Sequence, residues 1–195
     1  MLIEAFRDKL LVDSCCSRPE SGLIEISNSV RERELKKVWV DCSAADDALL
    51  IKLEEKKDSQ LCPLFRRTGL HLKTCDGIIL LAKDGRFHAV FCELKTSWDP
   101  DAIKQIRNSH LFFNYAHAVV REWHKAPAED VSTWFAVITT GALPVVKFGT
   151  QFKRAAIPPT QKPSGNVLEP RRLRLIDGKG QSSRNPLHIR DLARF

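Results

Sequence analysis

Three ionisable residues stand where two apolar segments of the chain begin and end. The stretch Cys75–Thr96 reads CDGIILLAKDGRFHAVFCELKT; Asp76 opens its first apolar run, and Glu93 and Lys95 close its second. Burying a charge costs free energy unless it is paired or bound to a metal, so packing alone gives these three little reason to be there. Lys83-Asp84-Gly85 reads as the turn between two strands, Asp76–Ala82 and Arg86–Lys95, because Asp-Gly accepts the positive φ of a tight hairpin. A turn at that place predicts that Asp76 falls opposite Glu93, and strand alternation puts Lys95 on the same face as Glu93. Two converging carboxylates repel, and one is pushed toward its neutral form unless a cation joins them. Mg²⁺ suits such a site, since it takes a few carboxylate oxygens and keeps several waters, and Mn²⁺ accepts the same oxygen donors. Lys95 would then position or acidify a water, or stabilise developing negative charge. Metal-activated water attacking a phosphodiester is the reaction that fits. The alternative is a solvated salt-bridge cluster at two strand ends.

The segments around the hairpin must hold these groups in place. Downstream, Asp99 is a good N-cap, Pro100 fits the first helical position and Asp101 complements the helix dipole. A helix over Pro100–Val120 follows, with Ile103, Ile106, Phe113, Ala116 and Val120 as its buried stripe. Trp134–Thr140 reads as a strand, and Val145–Phe148 as a further short one. Upstream, Leu2–Val12 has the spacing of a short amphipathic helix, and Leu23–Ile26 and Leu35–Cys42 read as strands. Ser43–Lys57 is expected to be a helix, capped by Ser43, with Asp46 and Asp47 near its start and Lys56 and Lys57 at its end. Pro63 and Gly69 bound a loop carrying Arg66 and Arg67.

At 195 residues the chain is long enough for one domain with a sizeable core and a tail. No run approaches the roughly 18–20 apolar residues of a membrane span, and MLIEAFRDKL lacks the apolar core of a signal peptide. The expected setting is the cytoplasm or a comparable reducing compartment, with no membrane partner. None of the six cysteines forms a CxxC pair, which argues against structural zinc. Cys75 and Cys92 each precede an acid, and alternation points them away from it into the packed interior as reduced thiols. Charge is unevenly placed. Residues 1–152 carry 21 Lys+Arg and 21 Asp+Glu, and residues 153–195 carry 10 and 3, so the whole net charge of +7 falls on the second segment. The chain therefore divides into a domain over 1–152 and a basic C-terminal extension over 153–195. The extension is suited to phosphate backbones or acidic protein surfaces. Its Leu173, Leu175, Ile176, Leu187 and Ile189 would also let it pack as a strap, joining a second copy or a protein partner.

Asp76, the hairpin, Glu93-Leu94-Lys95 and a helix bearing Gln105 together resemble the PD-(D/E)xK nuclease superfamily. The resemblance covers residues 70–140, and Cys75 stands where that motif has its proline. It implies a restriction-endonuclease-like α/β fold, with an αβββαβ core whose central mixed sheet is flanked by helices. It implies Asp76 and Glu93 as metal ligands, the Leu94 carbonyl as a further oxygen ligand, Lys95 as the catalytic lysine and Gln105 as an orienting residue. The first core helix of such proteins often adds an acid, for which Glu4 and Glu54 are candidates. The Q-x3-Y branch is not fully matched, since position 109 is Ser. The implied activity is Mg²⁺-dependent hydrolysis of nucleic acid, chiefly DNA, in restriction, phage defence, repair, recombination or transposition. The alternative is a nuclease-like fold that cuts nothing and serves as a nucleic-acid or protein binding module. A third reading is an RNA-binding protein driven by the basic extension.

Arg66, Arg67, Lys73 and Lys104 are candidate phosphate contacts near the site, and Arg171, Arg172 and Arg174 in the extension. Solvated surface charge is the plainer account of each. Trp98 suits a packing residue before the helix cap, with base stacking as the alternative. His110, His117 and His124 mark one helix face and are expected to be structural.

Overall fold

The protein is described by a computed structural model. The described residues are 2–11, 13–28, 35, 37–53, 73–97, 99–124, 130–140, 171–175, 182 and 184–193. The expected strand at 145–148 lies outside them, as do Glu54, Arg66, Arg67 and Trp98.

The expected hairpin forms β5 (Gly77–Lys83) and β6 (Arg86–Lys95), with Asp84 at φ 49° and Gly85 at φ 73° in a two-residue turn. Both strands are buried along nearly their whole length, so each face of each strand must be covered. They are the centre of a mixed sheet of six strands in the order β1-β4-β5-β6-β7-β8. Its other members are β1 (Cys16–Ser17), β4 (Asp47–Ile51), β7 (Val131–Thr139) and β8 (Arg171–Arg174). Helix α2 (Asp101–His124) connects β6 to β7, which pair in parallel. The Asp99 carboxylate accepts the Asp101 N–H at 2.9 Å, in the expected N-cap.

One face of this sheet is covered by helix. There α1 (Leu2–Ala5), continued as π-type turns over Phe6–Leu10, packs with α2 over Leu49, Ile51, Ile78, Leu80, Phe91 and Val137. The opposite face is covered by a second, three-stranded sheet, where the sequence led us to expect helices. It comprises β2 (Leu23–Ser27), β3 (Lys37–Asp41) and β9 (Leu187–His188), with α3 (Ile189–Leu192) beside it. Gly77 lets the two sheets approach: a Cβ there would stand 2.9 Å from Leu50 Cδ1 and 3.3 Å from Ile26 Cγ2.

The segment expected as a helix over Ser43–Lys57 opens with a turn and continues as strand β4 in its described part. Ala48, Leu49, Leu50 and Ile51 are all buried, β4 lies between β1 and β5, and a strand covered on both faces reads as an unbroken apolar run. Ser43 donates its backbone N–H to the Asp41 carboxylate in a turn and caps no helix. The C-terminal segment also enters the body of the fold. β8 joins the main sheet beside β7, and Leu175, Leu187, Ile189, Leu192 and Ala193 fill the interior with Val90, Cys92 and Leu94.

Candidate active site

The ladder between β5 and β6 ends at the pair Gly77–Cys92, leaving Asp76 and Glu93 as the next positions at its open end. Here the Leu94 N–H is taken by a side chain: it donates to Asp76 Oδ2 at 2.6 Å. The Leu94 carbonyl receives Asn28 Nδ2 at 3.5 Å, from just beyond β2. Two residues on, the Lys95 ammonium lies 2.7 Å from Glu93 Oε1 and donates to Gln105 Oε1 of α2 at 2.7 Å. Asp99 Oδ2 lies 3.8 Å from the same ammonium. Gln105 is fixed in turn, since its Nε2 donates to the Thr74 carbonyl at 3.1 Å. Asp76, Glu93, Lys95 and Gln105 are thus gathered where β5, β6 and the first turns of α2 meet.

These groups are deeply placed: Asp76 is 7% exposed, Lys95 4% and Glu93 0%. At that depth the Glu93–Lys95 pair is screened little, and each charge depends on the other. The donor set is oxygen throughout, from two carboxylates and one carbonyl, which matches a hard cation such as Mg²⁺. The neighbouring thiols do not alter that character, because burial pushes Cys75 up to about 12 and Cys92 well above its ordinary value, keeping both protonated. Among the described residues no group of three or more His, Cys, Asp or Glu gathers to hold a metal, so water would have to complete the coordination of any cation here.

Cys92 points to the inter-sheet interior, as alternation requires, whereas Cys75 packs on the helix side of the sheet. Cys75 precedes the first strand residue, so the pleat does not govern it. Its backbone N–H donates to Ser109 Oγ at 2.8 Å, and that hydroxyl donates to the Gln105 carbonyl at 3.0 Å. Ser109 therefore ties the approach to Asp76 onto α2. Its signal in the sequence is a polar residue within the stripe Ala102, Ile106 and Phe113, at a fully buried position. Asn28 carries no comparable signal, because a polar residue ending a strand is commonplace.

The basic candidates separate. Asp101, at the start of α2, is held below the usual carboxylate range first by Lys104, with Lys73 and Lys95 adding to the effect. Lys73 and Lys104 therefore stand at the helix end nearest the acids. Across the sheet Glu93 pairs with Val137 and Val137 with Arg172, while Lys95 pairs with Thr139 and Thr139 with Arg174. In backbone register, Arg172 and Arg174 therefore stand in line with Glu93 and Lys95 across β7, and Arg171 in line with Cys92. Glu4 is exposed on α1. His110 meets the rings of Phe91 and Phe135 edge-on at 5.4 and 5.3 Å, and His117 stacks on Phe113 at 6.2 Å, so both serve packing. His124 is exposed at the end of α2.

No family model, curated protein or solved structure matches the chain. No helix among the described residues is long and apolar enough to cross a membrane.

Proposed function

We propose that the protein is a Mg²⁺-dependent nuclease of the PD-(D/E)xK type that hydrolyses phosphodiester bonds in DNA. The observation that carries this reading is the meeting of Asp76, Glu93, Lys95 and Gln105 at the open end of the hairpin. The order α1, β4, β5, β6, α2, β7 supports it, since it is the αβββαβ order of that superfamily with β1, β2 and β3 added before β4. Asp76, Glu93 and the Leu94 carbonyl would hold the cation, which when bound supplies a more acidic water and charge for the phosphoryl oxygens. Lys95, oriented by Glu93 and Gln105, donates a hydrogen bond to the attacking water or to an oxygen gaining negative charge. Gln105 acts through Lys95 and is a positioning residue. Phosphates of the substrate are met by Lys73, near the start of α2, and by Arg172 and Arg174 of β8.

One observation favours the second reading, a binding module that cuts nothing: Glu93 has no exposed surface and already neutralises Lys95. Incubating circular and linear DNA with the protein, with Mg²⁺ or Mn²⁺ and with chelator, separates the two. Metal-dependent cutting that Glu93→Gln abolishes supports the nuclease; DNA binding without cutting by the wild type under any of these metals supports the module.

A further inference from the structure

Helix α2 buries Ala102, Ile106, Ser109, Phe113 and Val120 against the sheet and turns an apolar ridge outward. On that ridge Leu111 is 68% exposed and Tyr115 72%, with Trp123 on its flank at 77%. They are the only exposed large hydrophobic residues among the described ones, and all three lie on this one helix. Helical spacing of about 3.6 residues per turn aligns Lys104, Asn108, Leu111, Tyr115, Ala118 and Glu122 along the ridge. Its centre is apolar, its first part basic and its last part acidic.

We propose that this ridge is the interface of a homodimer, formed by two copies of α2 packed antiparallel about a two-fold axis level with Phe113. Lys104 and Glu122 are equidistant from Phe113 along the helix, and so are Leu111 and Tyr115. An antiparallel pairing centred there sets Leu111 of one copy against Tyr115 of the other, twice, and Lys104 against Glu122, twice. A parallel pairing would set Lys104 against Lys104 and Glu122 against Glu122. The charge pattern therefore selects a second copy of this chain in one orientation, as an isologous interface requires. The present partner of Lys104 is Asp101 at 2.7 Å, a largely exposed pair that holds it only weakly and leaves it able to reach across.

Sedimentation equilibrium of the full chain tests this. The expected result is a concentration-dependent shift from one to two chain masses across the micromolar range. Tyr115→Glu should leave a monomer at every concentration, with an unchanged circular dichroism spectrum and, at concentrations too low for the wild type to pair, the wild type's melting temperature, because the residue is 72% exposed. Lys104→Glu and Glu122→Lys should each weaken the dimer about tenfold or more, and the double exchange should restore it. A wild-type monomer throughout that range, a dimer untouched by Tyr115→Glu, or a double exchange as weak as the single ones overturns the proposal.

Discussion

The Asp76 carboxylate accepts the backbone N–H of Leu94 at 2.6 Å, so the acid that precedes β5 is bonded to the middle residue of Glu93-Leu94-Lys95. This bond does two things. It continues the pairing of the two strands beyond their last backbone partners, and it fixes Asp76 beside the carbonyl that would share a cation with it. A charge-assisted bond of this kind contributes about 1.5–3 kcal/mol. Asp76→Ala should lower stability by about that amount and abolish metal-dependent cutting. Asp76→Asn keeps an acceptor for Leu94 and loses the charge, so it should melt close to wild type and still not cut. Thermal melts beside a cleavage assay check the pair, and an Asp76→Asn protein that cuts at full rate would show that its charge is not needed.

The Glu93–Lys95 pair should show strong coupling. Removing the lysine alone leaves a buried carboxylate without its cation, a loss of about 3–5 kcal/mol for such pairs. Lys95→Met should therefore be markedly destabilised, and adding Glu93→Gln should recover much of the loss. A double-mutant cycle from urea unfolding measures the interaction. Additive losses would mean that the two charges are stabilised independently.

One buried histidine, His88, and two half-buried ones, His110 and His117, give the fold an acid limit. Burial pushes His88, His110 and His117 below the ordinary 6.5, which favours their neutral forms when folded. The unfolded chain then binds protons more readily, so stability is fully present above about pH 6.5 and is lost as pH falls through the folded values. His110→Phe keeps the edge-on packing with Phe91 and Phe135 and removes one of the three groups. Its melting temperature should fall less steeply than the wild type's between pH 7 and pH 5, as differential scanning calorimetry would record.

The register of β8 predicts an alternation in DNA binding. Arg172→Gln and Arg174→Gln should each weaken binding of DNA to the Glu93→Gln protein, whereas Arg171→Gln should not. Each lost phosphate contact lowers the slope of log affinity against log salt by about 0.9 on duplex DNA. Fluorescence anisotropy across a salt series reads this slope, and equal effects at all three positions would refute the placement.

The parts of the site that were legible in the sequence are the locally encoded ones. Asp84-Gly85 dictates the turn, the turn dictates the register, and the register brings Asp76 and Glu93 to one end. Asp99 and Pro100 likewise announce α2, and the helical period then delivers Gln105 to Lys95. β4 is not legible as a strand because acids before its apolar run and lysines after it imitate a helix dipole pattern, while its burial on both faces is set by distant strands. Of the second sheet, β2 and β3 are legible as strands, but their union with β9 is not: that strand is two residues long and finds its partner only in the folded protein. The basic character of residues 153–195 suggested an appendage, but a strand and the Leu187–Ala193 segment within it are structural.

The parallel pairing of Val40 with Leu187 has a kinetic consequence. Its two sides are far apart along the chain, with the whole main-sheet core between them, and closing a long loop costs entropy before the contact returns any. The β5–β6 hairpin, by contrast, joins neighbours in sequence and can form within microseconds. Folding should therefore place the site strands early and leave one side of them only partly covered until β9 and α3 arrive. During that interval Val90, Cys92 and Leu94 lack the cover of Leu187, Ile189 and Leu192. Sticky intermediates follow from such an order of assembly. Refolding yield should fall with protein concentration, and pulse-labelled hydrogen exchange should find β5 and β6 protected before β9.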